Sequence, residues 1–282
     1  MQILSTPQEL AAQCRAWRAA GESISLVPTM GYYHAGHESL MERGRALAQR
    51  MVVSLFVNPT QFGPGEDLAA YPRDLERDAA IARKHGADVL FVPEPQSMYA
   101  PDHATWVEVP ELAKNLCGLS RPVHFRGVCT VVLKLFLLTG ADVAVFGEKD
   151  WQQQAIIRRM VRDLNVPVRI ETCPTGRETD GLALSSRNVY MTPEERAQAP
   201  EIRRGLLHAR TLAEKGETSA ALLREAVLGH WAEHLPLGRL DYLSVVHPES
   251  LEPLEGIAGP ALMACAVRLG KARLLDNILL HP

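Results

Sequence analysis

The sequence predicts an α/β fold: a doubly wound, Rossmann-like parallel sheet over residues 1–175, followed by a smaller α+β domain over residues 176–282. Three observations carry this reading. Short unbroken runs of Val, Ile, Leu and Phe alternate with helical stretches through the first part of the chain, and such runs covered by helices mark parallel strands buried on both faces. Beyond about residue 175 the rhythm changes to helices followed by strand-like runs, as in an α+β domain. A length of 282 residues with an ordinary apolar and charged balance suits one large or two modest globular domains.

The first helix is announced by Thr6 as cap, Pro7 in the first helical position and Glu9 three residues after the cap, and its apolar spacing runs to Gly21. SISLVP (23–28) is the first strand, followed by a helix over 37–50. MVVSLFV (51–57), a helix over 73–85 and DVLFVP (88–93) continue the alternation. An apolar helix over 127–140, the strand DVAVFG (142–147), a helix over 150–165 and VRIETC (168–173) complete the sheet. In the second domain a capped helix over 191–216 and another over 218–235 precede RLDYLSVVH (239–247) and ALMACAVRLG (261–270), which read as antiparallel strands. The stretch TGRETDGLALSSRN (175–188) falls at the boundary, where an active site between domains would use it as a mobile lid.

Composition narrows the function. A net charge of −3 with both signs scattered leaves no basic face for a polynucleotide, so no nucleic-acid partner is expected. No apolar run approaches the roughly 20 residues of a membrane span, and MQILSTPQEL lacks the basic start and apolar core of a signal peptide; no membrane association and a cytoplasmic location are expected. The five cysteines, Cys14, Cys117, Cys129, Cys173 and Cys265, are odd in number and far apart, with no Cys-x-x-Cys pair. Neither a disulfide framework nor a structural zinc site is indicated, and buried free thiols are expected.

Ligands of an open parallel sheet bind outside the carboxyl ends of its strands, near helix N-termini. PTMGYYHAGH (28–37) lies at such a place. Gly31 and Gly36 let the backbone approach a ligand, and His34 and His37, three apart at the start of a helix, can both donate to phosphate oxygens. The alternative is two surface histidines in a turn; zinc lacks further ligands at a familiar spacing. FGEKDWQQQ (146–154) also joins a strand to a helix: Lys149 can meet phosphate, Asp150 can cap the helix, and at least one of Gln152, Gln153 and Gln154 faces the pocket. LSSRN (184–188) joins two hydroxyls to a guanidinium, a set suited to triphosphate oxygens, and NPTQFG (58–63) places Gln61 at the same edge of the sheet. Alone, each of these also reads as ordinary loop polarity. His124, between Arg121 and Arg126, is either a phosphate-side wall or a solvated turn, and His85, His208, His230, His234, His247 and His281 receive no role.

Taken in order, PTMGYYHAGH, NPTQF, YPRD, RPVHFRGV, FGEKDWQQ and DGLALSSRN resemble the pantothenate synthetases, the pantoate–β-alanine ligases of the His-x-Gly-His nucleotidyltransferase group, over essentially the whole chain. The resemblance implies an ATP-dependent ligase that condenses pantoate with β-alanine through a pantoyl adenylate, uses magnesium (Mg2+), releases pyrophosphate and AMP, and forms a homodimer. It implies that Met30, Gly31, Tyr32, Tyr33, His34, Ala35, Gly36 and His37 hold ATP, with His34 and His37 on the phosphates. Gly147, Glu148, Lys149 and Asp150 would line the nucleotide, Lys149 steadying phosphate charge, and Gly176 would lie near adenine. Leu184, Ser185, Ser186 and Arg187 would close over the triphosphate, the smaller domain closing over the active site. Gln61 and Gln153 would hold pantoate, Gln61 also touching β-alanine, and Asp78 is the implied magnesium ligand, although its neighbour is Arg77 and not a second acid.

Chemistry makes that division of labour sensible. A pantoate carboxylate is already ionised at neutral pH and needs no general base to attack the α-phosphate, so catalysis rests on positioning and on neutralising phosphate charge. No general base for the β-alanine amine stands in these motifs; water or the departing phosphate would serve. Tyr33, Trp151, Leu137 and Gly176 depart from the residues usual in that family. Other readings keep the nucleotide site: an adenylate-forming ligase for a different small acid, a nucleotidylyltransferase for a phosphorylated substrate, and a non-catalytic nucleotide-sensing module. The uncharged amides of Gln61 and Gln153 argue against a phosphorylated partner.

Overall fold

The computed structural model describes residues 1–282, which divide into two compact units. The first comprises Met1–Pro110, Arg121–Glu148 and Ile156–Pro174; the second comprises Glu111–Ser120, Lys149–Ala155 and Thr175–Pro282. Two short segments that precede residue 175 thus group with the C-terminal part of the chain. The Gln152 amide ties them to each other: its Oε1 accepts from Cys117 N (2.9 Å) and its Nε2 donates to Leu112 O (2.9 Å) and Asn115 O (2.7 Å). Asn115 Nδ2 then donates to Leu251 O (3.2 Å) and Trp151 Nε1 to Pro248 O (2.9 Å).

In chain order the structure runs β1 (Gln2–Leu4), α1 (Pro7–Ala19), β2 (Ile24–Thr29), α2 (Ala35–Leu47), β3 (Arg50–Leu55), α3 (Leu75–Lys84), β4 (Val89–Phe91) and three single turns, α4 (Pro95–Met98), α5 (Pro110–Ala113) and α6 (Cys117–Ser120). It continues with α7 (His124–Thr139), β5 (Val143–Gly147), α8 (Trp151–Asp163), β6 (Arg169–Cys173), α9 (Pro193–Gln198), α10 (Pro200–Glu214), α11 (Ala220–His234), β7 (Gly238–Val246), β8 (Ala261–Leu269) and β9 (Ala272–Leu280). No helix is long and apolar enough to cross a membrane.

The first unit holds a six-stranded sheet in the order β1-β4-β3-β2-β5-β6, every pair parallel. From β2 the chain steps outward through β3 and β4, then returns to the other side of β2 as β5 and β6. The reversal falls between β2 and β5, the place where open parallel sheets bind ligands. Ile24, Ser25, Leu26 and Val27 of β2 are all buried, as strands covered on both faces must be. On one side Val27, Met51, Val53, Leu90 and Val145 pack with Met41 of α2 and with Tyr33. The Thr6 cap of α1 is reciprocal as its sequence predicts: Thr6 Oγ1 accepts from Glu9 N (3.3 Å), and Glu9 Oε2 accepts from Thr6 N (3.0 Å). β1 lies outside the predicted elements because three residues at a sheet edge display no period. α7 begins at His124, one turn earlier than its apolar run, and ends where Gly140 takes the left-handed conformation (φ 54°) of a helix C-terminus.

The second unit packs α10 and α11 on an antiparallel sheet ordered β7-β8-β9. Leu206, Leu223, Val227 and Trp231 meet Met263, Cys265 and Val267 in its core. The single helix expected over 191–216 is two, because Pro200 has no N–H to give a preceding turn and starts a new helix instead. β9 is a third strand that the sequence reading omitted. Asp276 and Asn277 interrupt its apolar run, yet both are buried and both find partners on other elements.

Candidate active site

β2 ends at Thr29, and the chain turns sharply through Gly31 (φ 87°) and Tyr32 (φ 54°). A Cβ at Gly31 would stand 3.0 Å from Asp78 Oδ2 and 3.1 Å from Leu55 Cδ2, so both angle and space call for glycine. Tyr32 carries a left-handed strain of about 1–3 kcal/mol, and the start of α3 holds it there. Asp78 Oδ2 accepts from Tyr32 N (2.5 Å) and Oδ1 from Tyr33 N (2.8 Å). Arg77 Nη2 donates to Tyr33 O (2.8 Å), its guanidinium 5.2 Å from the centroid of the Tyr32 ring. Tyr33 is wholly buried and receives a hydrogen bond from Thr29 Oγ1 (3.2 Å); burial raises its phenol well above the usual range. Its size therefore belongs to the core of this unit.

His34 caps α2, which starts at Ala35 and not at residue 37. Its Nδ1 accepts from Gly36 N (3.2 Å), and its own N–H donates to His37 Nδ1 (3.3 Å), a reciprocal cap built from two imidazoles. The two rings lie 4.1 Å apart. Because both Nδ1 atoms accept, each neutral ring carries its proton on Nε2, the nitrogen able to donate to an oxygen. The helix starts before its expected position because histidine is not a usual cap residue.

Gln61 ends a 3₁₀ turn (Pro59–Gln61) capped by Asn58. Asn58 is 1% exposed; its Nδ2 donates to Gln61 Oε1 (3.2 Å) and Gly127 O (3.1 Å), while its Oδ1 accepts from Tyr99 OH (3.0 Å) and Thr60 Oγ1 (2.9 Å). Gln61 Nε2 points to Met30 Sδ at 3.0 Å, which joins the 58–61 turn to the turn after β2. Its backbone carbonyl accepts from Arg121 Nη2 (3.3 Å) and lies 2.9 Å from His124 Nδ1. His124 is buried at the start of α7 against the Gln61 carbonyl, and so is not a solvated turn. Arg121 also grips Glu66 (2.6 Å); burial pushes the Glu66 carboxyl up, but the Arg121 bonds outweigh it and leave it below the usual range. A Cβ at Gly127 would fall 2.5 Å from Thr60 O, so α7 lies against this turn only because residue 127 is glycine. Asn58, Tyr99 and Gly127 are positioning residues that the sequence reading missed; the Asn-Pro pair was the one signal for the first of them.

β5 ends at Gly147, where an added Cβ would meet nothing within 4 Å. Glu148 Oε1 accepts from Thr172 Oγ1 (3.3 Å) in the same unit. Lys149 and Asp150 belong to the second unit, with Lys149 Nζ 3.6 Å from the Asp150 carboxylate. Of the three glutamines that follow, Gln152 and Gln154 are buried and Gln153 is half-buried; the bonds described above make Gln152 structural.

Gly176, Leu184, Ser185, Ser186 and Arg187 belong to a hairpin. Leu184 N donates to Gly176 O (2.9 Å) and Glu178 N to Leu182 O (2.8 Å), and Gly181 (φ 96°) makes the bend. Ser185 Oγ then accepts from Arg187 N (3.2 Å) and caps a 3₁₀ turn over Ser186–Tyr190. The hairpin is anchored by Arg177, whose Nη1 and Nη2 each lie 2.8 Å from an oxygen of Asp276. Asn277 Nδ2 donates to Lys149 O (3.0 Å), and Arg203 Nη1 to Asn277 O (3.0 Å). The buried polar pair of β9 therefore ties the hairpin and the Lys149 turn to one strand. Between them lies a cavity of about 10 Å³ lined by Lys149, Ser185, Arg203 and Asp276, room for about one water.

No group of three or more His, Cys, Asp or Glu side chains gathers to hold a metal ion. Asp78, the implied magnesium ligand, is 1% exposed with each oxygen bound to a backbone N–H. A hydrated Mg2+ ion needs open carboxylate oxygens and room for its waters, so these residues do not fit a resident metal centre.

The family model for pantoate-beta-alanine ligase matches residues 2–279. The chain is 78% identical to the pantothenate synthetase of Desulfovibrio desulfuricans over 100% of both chains. The crystal structure of pantothenate synthetase from Thermus thermophilus superimposes with a TM-score of 0.94 at 47% identity, covering 100% of both chains. Pantoate-beta-alanine ligase from Francisella tularensis, complexed with beta-gamma ATP and beta-alanine, gives a TM-score of 0.81 at 32% identity over 99% of this chain and 97% of that one.

Proposed function

This chain belongs to the pantoate-beta-alanine ligase family, and from that premise we propose how its residues perform the ATP-dependent joining of pantoate to β-alanine. ATP lies against residues 30–37, its phosphates facing His34 and His37. The reciprocal imidazole cap of α2 carries this reading: it fixes two rings with protonated Nε2 atoms at a helix N-terminus, beside the reversal point of the sheet, where dipole and donors favour an anion. The open space at Gly147 supports nucleotide approach at the neighbouring strand. Lys149, Ser185, Ser186 and Arg187 supply charge and hydroxyls to the triphosphate; Glu148, Asp150, Gly176 and Leu184 line the nucleotide. Gln61 and Gln153 hold pantoate, and the beta-gamma ATP and beta-alanine of the Francisella relative support ATP and β-alanine as substrates here.

In the first step a pantoate carboxylate oxygen bonds to the α-phosphorus as the bond from that phosphorus to pyrophosphate breaks. The carboxylate arrives ionised, and the histidine, lysine and arginine donors stabilise charge on the oxygens in flight. In the second step the β-alanine nitrogen bonds to the acyl carbon, the bond to AMP breaks, and the amine proton passes to water or to the departing phosphate. Magnesium accompanies the nucleotide as its counter-ion and neutralises phosphate charge when bound. We carry two further expectations of the family: a homodimer, and residence in the cytoplasm, which the five buried free thiols suit.

ATP–pyrophosphate exchange with magnesium and a panel of carboxylic acids, without any amine, tests the proposal. Exchange with pantoate alone is expected. Exchange confined to another acid would reassign the pocket, and exchange with none would leave a nucleotide-binding module.

A further inference from the structure

Resting on the nucleotide reading above, we propose that Arg77 and Asp78 are positioning residues, a two-sided clamp that sets the His34/His37 turn for the triphosphate. Three bonds from the start of α3 hold three consecutive peptide groups: Asp78 takes the N–H groups of Tyr32 and Tyr33 at 2.5 and 2.8 Å, and Arg77 takes the Tyr33 carbonyl at 2.8 Å. The guanidinium also lies over the Tyr32 ring. The clamped segment is the one that needs holding, since Gly31 and Tyr32 both have positive φ and the residue after Tyr33 is the cap of α2. Any shift of this turn moves both imidazoles, and a displacement of about 1 Å at a reacting group costs on the order of 10²-fold in rate.

A carboxylate wholly buried against backbone amides and next to an arginine is poorly made to receive a hydrated divalent ion. It is well made to direct a backbone, because its two oxygens accept from successive N–H groups at fixed spacing. The chain thus uses the pair at 77 and 78 on itself, and its nucleotide site is complete as an anion site before any metal arrives.

The test compares Asp78→Asn and Arg77→Ala with the unaltered protein by three measurements: ATP affinity in EDTA by calorimetry, the magnesium concentration that half-saturates pyrophosphate exchange, and a double-variant cycle with His37→Ala. Metal-free ATP affinity should fall about tenfold in Asp78→Asn and about threefold in Arg77→Ala, with magnesium half-saturation within about twofold of normal. Asp78→Asn should cost far less in a His37→Ala background than alone, because both act through one turn. A tenfold rise in magnesium half-saturation with unchanged metal-free affinity would make Asp78 a metal ligand and end the proposal; so would fully multiplicative losses in the double variant. Should Asp78→Asn fail to fold, Arg77→Ala, at an exposed position, decides by the same affinity and magnesium criteria. Absence of both ATP binding and exchange in the unaltered protein would instead remove the nucleotide reading on which the clamp rests.

Discussion

The His37 ring closes the cap of α2 through Nδ1, and the proposed phosphate contact gives its Nε2 a second task. Replacing His37 or Lys149 by Ala should lower pyrophosphate exchange by about 10²-fold, the scale of losing one oxyanion donor; losses under about threefold for both would refute phosphate contact. Gln61→Ala should raise the KM for pantoate more than that for ATP, because the Gln61 amide is held by Asn58 and Met30 on the pantoate side of this reading; steady-state kinetics with each substrate varied would show the reverse if the pocket is misassigned. The sequence displayed the histidines, Gln61 and Lys149 because their spacing and strand-end positions are local facts. Asn58, Tyr99 and Gly127 are not legible, since each meets a partner tens of residues away, as Tyr99 and Gly127 do at Asn58.

Among the elements, β9 shows why polar residues mislead a reading by period. Asp276 and Asn277 look like a break in a strand, but Arg177, Arg203 and Lys149 O satisfy them from other elements. Asp276→Ala should destabilise the protein by about 3 kcal/mol, because it leaves the Arg177 guanidinium half-buried without its partner; urea unfolding measures this, and a loss under about 1 kcal/mol would show the pair to be dispensable. Exchange activity should fall in parallel, since the same strand holds the Lys149 turn. The elements legible in advance were those with strong local marks: the Thr6 box, the Val-rich strands, the apolar α7. Pro200 is as visible as any of these, yet the helical period on either side of it masks the break between α9 and α10.

At the scale of the molecule, pH should act on the fold through two carboxyls of opposite sign. Glu66 has a folded pKa below its unfolded value, so its contribution is present above about 4.5 and is lost as pH falls through the lowered folded value. Asp78 has the opposite sign: burial raises it despite the Tyr33 and Tyr32 bonds, the folded state binds the extra proton, and stability declines as pH rises from about 3.8 through the raised value. Melting curves between pH 3 and 6 for Glu66→Gln and Asp78→Asn should therefore diverge from the unaltered protein in opposite directions; like-signed changes would contradict these assignments. The division of the chain into two units has a consequence in time as well as in space. Residues 111–120 and 149–155 leave the ribosome long before most of the unit they join, and the Lys149 carbonyl waits for Asn277, 128 residues later. A nascent chain can finish the parallel sheet while translation continues, but the lysine turn settles only once β9, more than a hundred residues later, has been made and paired.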